Sequence, residues 1–144
     1  MVRGYRISND KRELDFSLIY KFISNSYWAK RMPKSVLEKA IQHSLCFGVF
    51  TDEGGQVGFG RVITDYATFA YLSDVFIVEA HRGKGLSKWL VSEIIAQPEL
   101  QNLRRFVLVT KDAHSLYEQF GFKSLAAPDR YMEIWDPDVY QKIT

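Results

Sequence analysis

Arg82-Gly83-Lys84-Gly85 stands between an apolar run, Val75–Val78, and a stretch whose apolar residues Leu86, Leu90 and Ile94 recur at helical spacing. Two cations and two glycines at a strand-to-helix junction are the parts of an anion cradle. A helix starts with backbone N–H groups that have no partner inside the helix, at the positive end of its dipole. Glycine lets backbone approach phosphate oxygens with no Cβ in the way; Arg adds a fork of donors and Lys a mobile point charge. The same four residues also suit a solvated turn whose glycines serve only local geometry. Neither G-x-G-x-x-G nor G-x-x-x-x-G-K-[ST] fits at this junction, which disfavours nucleotide hydrolysis and a dinucleotide fold.

Other groups with chemical potential are scattered. Asp74 sits inside an apolar strand, with Asp65 before it and Glu79 after it. His43, His81 and His114 share no spacing that marks a metal site, so no metal is expected. Cys46 is the one cysteine and is flanked by Leu45 and Phe47, which favours a small buried thiol over a nucleophile. A lone cysteine forms no internal disulfide, as suits a reducing compartment.

These residues need elements to position them. Tyr5–Ile7 reads as a strand, and Asn9 or Asp10, with Glu13 at capping-box distance from Asp10, opens a first helix to about Ser24. Pro33 opens a second helix carrying Val36, Leu37, Ala40 and Ile41 on one face. "CFGVFT", "DEGG" and "QVGFGRVIT" make a hairpin, and Phe69–Val78 a further strand. A helix follows the basic turn to Ala96, where Pro98 stops it, and "RRFVLVT" reads as a buried strand. "AHSLYEQFGF" is a short helix ending at Gly121, and Phe122–Leu125 and Tyr131–Trp135 are expected as a closing strand pair around "APDR". The order β-α-α-β-β-β-α-β-α-β-β implies an α/β chain with a mixed sheet, read as one domain over residues 1–144.

Composition agrees. The 144 residues are 47% hydrophobic and 25% charged, enough for one substantial core. A net charge of +2 is too small for nucleic-acid binding as the main role. No run approaches the roughly 20 apolar residues of a membrane span, and Arg3, Arg6, Asn9 and Asp10 interrupt any leader pattern, so a cytoplasmic protein is expected.

"VFIVEAHRGKGLSKWL" resembles the acyl-CoA signature of the GCN5-related N-acetyltransferase (GNAT) family, R/Q-x-x-G-x-G/A. Arg82 takes its first position, Gly85 the fourth and Ser87 the sixth, where Ser departs from Gly or Ala. "LYEQFGF" resembles the family's C-terminal signature, a Tyr on a short helix before Gly-Phe. The element order is the family's as well, so the resemblance covers nearly the whole chain.

The resemblance implies acetyl-CoA in a V-shaped opening between the strands at 69–78 and 106–110. Its pantetheine would pair with backbone at Val75, Phe76 and Ile77, and its phosphates would lie on Arg82, Gly83, Lys84, Gly85, Leu86 and Ser87, with Ala113 beside it. An amine attacking a thioester must first be neutral, and the departing thiolate gains from a proton donor. The resemblance gives that role to Tyr117, which also touches the cofactor. Asp74 is the first candidate base; a cross-strand ion pair with Arg61 is its equal alternative, and a water chain is a third. The acceptor would lie near Tyr27, Trp28, Asp65 and Tyr66, where aromatic faces and a carboxylate suit an amine with apolar bulk. Phe69 and Tyr71 are read as core.

The leading expectation is an N-acetyltransferase acting on a primary amine of a small molecule or peptide by direct attack in a ternary complex. The alternative is a catalytically weak CoA-binding sensor or interaction domain. Family members are often dimers, so a homodimer stays open.

Overall fold

The computed structural model of the protein describes residues 1–143. The chain starts with strand β1 (Tyr5–Ser8), followed by helices α1 (Phe16–Ser24) and α2 (Lys34–Gln42). Strands β2 (Leu45–Thr51), β3 (Gln56–Thr64) and β4 (Phe69–Ile77) come next, then helix α3 (Leu86–Ile95). Strand β5 (Arg105–Leu108) and the short helices α4 (His114–Glu118) and α5 (Val139–Lys142) complete it.

The five strands lie in chain order, antiparallel from β1 to β4, with β5 parallel to β4. The mixed sheet expected from the sequence is thus present. Helix α3 is the crossover that a parallel neighbour requires.

The alternating side chains of each strand feed two cores. Leu45, Phe47 and Val49 pack with Leu86, Leu90 and Ile94 of α3, while Cys46 packs with Ile19, Ile23 and Leu37 of α1 and α2. Contact with α3 is close: a Cβ on Gly60 of β3 would sit 3.1 Å from Ile94 Cδ1.

Three expectations change. Asp10 caps only a single 3₁₀ turn, Lys11–Glu13, and α1 starts later, with the Asp15 carboxylate accepting from the Leu18 N–H. Glu13 is drawn away from a capping box by Arg6, at 2.9 Å, and by the Ser8 hydroxyl. β5 is half-buried rather than buried, because it forms the sheet's edge.

The third change concerns the closing strand pair at 122–125 and 131–135, which is absent. "APDR" turns as a 3₁₀ helix, Pro128–Arg130, and sends its flanks apart instead of folding them into a hairpin. Tyr131 has extended backbone (φ −90°, ψ 137°). Among the described residues, Met132–Trp135 make no backbone hydrogen bond, and a strand without a partner is only an extended segment.

Candidate active site

β4 and β5 pair only from Phe69↔Arg105 to Leu72↔Leu108. Beyond that point they part, and a cleft of about 430 Å³ opens between them. On its other edge, against β3, β4 carries a bulge. Arg61 faces Ser73 and Phe59 faces Phe76, so Gly60 stands opposite both Asp74 and Val75. Asp74 has φ +55°, a left-handed conformation that the first residue of such a bulge adopts and that Asp tolerates better than most.

The bulge carries a buried ion pair. Arg61 Nε donates to Asp74 Oδ2 at 2.8 Å, with side-chain exposures of 11% and 2%. Trp28 Nε1 donates to the other oxygen, Oδ1, at 2.7 Å, and Arg61 Nη1 donates to Ser44 Oγ at 3.1 Å. The ion pair weighed from the sequence therefore exists, and both Asp74 oxygens already accept hydrogen bonds. The positioned consequence is Trp28, pinned over the cleft mouth with Tyr27 edge-on to it at 5.2 Å. Lys111 Nζ lies 5.4 Å above the Tyr27 ring.

Tyr117 reaches the cleft from α4, which Ala113 precedes as N-cap; the Ala113 N–H donates to Thr110 Oγ1. Its ring is buried and stands edge-on to Phe122. Burial, with a smaller contribution from neighbouring Tyr27, pushes the Tyr117 phenol above its ordinary range. It therefore stays protonated through neutral pH, the state a proton donor needs.

The basic turn follows the end of β4, before α3 begins. Gly83 (φ +78°) and Gly85 (φ +82°) are left-handed, and nothing lies within 4 Å of where their Cβ atoms would be. Among the described residues, no N–H from Gly83 to Lys88 donates to another backbone group, and no side chain caps α3. Arg82 Nε donates to the Ile77 carbonyl at 2.9 Å, tying the turn to β4. Lys84 is exposed and Ser87 half-buried beside the same amides.

The structure thus brings Tyr27, Trp28, Asp74, Val75, Ala113 and Tyr117 to one cleft. Phe76 faces the other way, stacked on Phe22 at 3.9 Å. Asp65 and Tyr66 do not line the cleft. The Asp65 carboxylate accepts from the N–H groups of Ala67, Thr68 and Phe69 and from the Thr68 hydroxyl, which hold it well below the usual carboxylate range. Tyr71, read as core, lines the cleft instead, with Ser73, Lys111 and Asp112. The alternation along β4 was the available signal for Tyr71, because positions 71 and 73 share one face, opposite to Ala70 and Leu72 in the α3 core. No sequence signal marks Lys111 or Asp112, which lie in the loop after β5.

Residues 42–124 match the family model described as an acetyltransferase (GNAT) domain. The chain belongs to the GNAT family. A Gibberella zeae protein provisionally named acetyltransferase FG08082 is 33% identical to it over 142 residues, covering 83% of this chain and 79% of that one. A crystal structure of a provisional GNAT acetyltransferase from Xanthomonas campestris pv. campestris is 48% identical and superposes with a TM-score of 0.93, covering 97% of this chain and 99% of that one. A GNAT acetyltransferase from Elizabethkingia anophelis, solved with acetyl-CoA bound, shares the fold (TM-score 0.66, 13% identity, 93% and 90% covered). Among the described residues of this GNAT chain, no group of three or more His, Cys, Asp or Glu is placed to hold a metal ion. No helix among them is long and apolar enough to cross a membrane.

Proposed function

We propose that this GNAT chain moves an acetyl group from acetyl-CoA to a primary amine of a small molecule or peptide, by direct attack within a ternary complex. The observation that carries the reading is a cleft between splayed strands that holds a protonated phenol, on a strand, β4, whose end leads through the basic turn to free helix-start amides. The pyrophosphate would rest on the amides of residues 83–88, with Arg82 and Lys84 supplying charge. The pantetheine would pair with the edge of β4 that β5 leaves uncovered beyond Leu72.

A neutral amine at the mouth, beside Trp28 and Tyr27, attacks the thioester carbonyl carbon and forms the C–N bond. The carbonyl electron pair moves to oxygen, where a backbone N–H of the uncovered edge stabilises it. When the pair returns, the C–S bond breaks and the sulfur leaves with the electrons and takes the Tyr117 proton. The nitrogen loses its extra proton to water, since Asp74 is committed to Arg61 and Trp28. Asp74 is a positioning residue in this reading.

That commitment also favours a second reading, a CoA-binding protein with weak catalysis. Two measurements separate them. Acetyl-CoA at a hundred-fold excess over Kd should stabilise the fold by about 2.7 kcal/mol, and thiol release across a panel of amines, polyamines, aminoglycosides and peptides should find an acceptor. A thermal shift without release from any acceptor supports the sensor. No shift at millimolar CoA defeats both.

A further inference from the structure

Granted acetyl transfer as read above, on which this assignment rests, we propose that the acceptor carries a carboxylate beside its amine. It is an amino acid rather than a polyamine or an aminoglycoside, and Lys111 selects it.

The groups lining the cleft decide what suits it. Asp74 offers nothing to a ligand, because one oxygen accepts from Arg61 Nε and the other from Trp28 Nε1. What remains open is a set of donors. Tyr27, Tyr71 and Tyr117 line the cleft, and among the described residues none of their hydroxyls makes a hydrogen bond. Burial first, and then the Asp74 charge, push the Tyr71 phenol up, and burial does the same for Tyr117. Both therefore keep their protons through neutral pH. Lys111 adds an ammonium that makes no salt bridge among the described residues. Such a lining calls for an anion, since an ionised carboxylate accepts at both oxygens and donates nothing.

Position agrees with chemistry. Lys111 Nζ lies 5.4 Å from the centroid of the Tyr27 ring, and Tyr27 neighbours Tyr117. One tyrosine side chain thus separates the cation from the phenol beside which the thioester reacts. Tyr27 and Trp28, edge-on at 5.2 Å, give the mouth an aromatic wall for the acceptor's side chain. A polycation fits badly, because it needs several free carboxylates. Among the described residues, Asp112 is the one carboxylate lining the cleft that has no partner, and Lys111 precedes it in the chain. One charge of each sign suits a zwitterion: Lys111 takes the carboxylate, and Asp112 draws the ammonium to the mouth before it loses its proton.

Thiol release should be measured with matched sets, each an amino acid, its carboxamide and the amine lacking the carboxylate, in phenylalanine and leucine series. The carboxamide has a more easily neutralised amine than the acid, so a preference for the acid cannot come from the nucleophile. The acid should exceed its carboxamide in kcat/KM by about ten-fold, the lower range for a hydrogen bond to a charged group. That preference should sit in KM and shrink with added salt. Lys111→Met keeps the stem against Tyr27 and should bring the ratio near one; Lys111→Glu should invert it and Lys111→Arg retain it. Lys111 is exposed, so these substitutions leave the core untouched. Release indifferent to the carboxylate, release confined to polyamines or aminoglycosides, or an acid preference that survives Lys111→Met would overturn the assignment and leave the acetyl-transfer reading in place. Release from no amine of these sets or of the wider panel would overturn both.

Discussion

Asp74→Asn tests what the bulge is for. Asn tolerates the left-handed φ of +55°, so the backbone is kept, and its amide oxygen can still accept from Trp28. What disappears is the charge facing Arg61, whose side chain is 11% exposed. Removing one member of a buried pair costs about 3–5 kcal/mol, because the other charge is left in low dielectric. For 144 residues the unfolding entropy is about 0.3 kcal/mol/K, so 3 kcal/mol lowers Tm by about 10 °C. Urea denaturation followed by tryptophan fluorescence measures the loss, since Trp28 reports directly on this site. The folded fraction should keep the wild-type shape of the pH–rate profile, with a raised KM for the amine as Trp28 loosens. A loss below 1 kcal/mol would refute the structural role. A stable variant that loses turnover together with one limb of the pH profile would make Asp74 the base after all.

Gly85→Ala should cost about 1–2 kcal/mol, since φ is +82° and an L side chain is disfavoured there even in open space; Tm falls by about 3–7 °C and KM for acetyl-CoA rises, both readable in one thermal titration with the ligand. Cys46 gives a pH prediction. Burial pushes its thiol up to about 11, above the unfolded value of 9.0, so the native state favours the protonated form. That contribution is whole below pH 9 and is lost as pH rises toward 11; by pH 10.5 the wild type should have lost about 2 kcal/mol relative to Cys46→Ala. Equal alkaline losses in both proteins would contradict it. Because the Tyr117 phenol is raised by burial, acetyl transfer should lose no activity to its ionisation below about pH 10, and an alkaline limb near 8 must then belong to another group.

Local pattern carried much of this to the sequence reader. The strand-turn-helix at 74–95 was legible because an apolar run, two glycines and a 3.6-residue stripe each constrain the backbone over a few residues. Tyr117 was legible through its short helix and Gly121, which has φ +92°. Contacts between distant residues were not. The Trp28–Asp74 bond joins positions 46 apart, and nothing in "SYWAKR" announces its partner. The left-handed Asp74 was hidden as well, since an acid within an apolar strand is compatible with a base, a pair or a bulge. At 131–135 the alternation suggested a strand that the structure does not form, because alternation cannot supply the partner edge that a strand needs. The cap at Asp15 was missed because Asp10 offered the same chemistry five residues earlier, and Arg6 then claimed Glu13.

The central claim is that Tyr117 donates the proton to the departing thiolate. Tyr117→Phe removes one oxygen from a ring already packed against Phe122, so the fold and the acetyl-CoA thermal shift should be kept. Thiol release with the acceptor found in the amine panel is the measurement. The account predicts a fall in kcat of about 10–10⁴-fold at an unchanged shift with acetyl-CoA. Wild-type turnover in a folded, acetyl-CoA-binding Tyr117→Phe protein would contradict it.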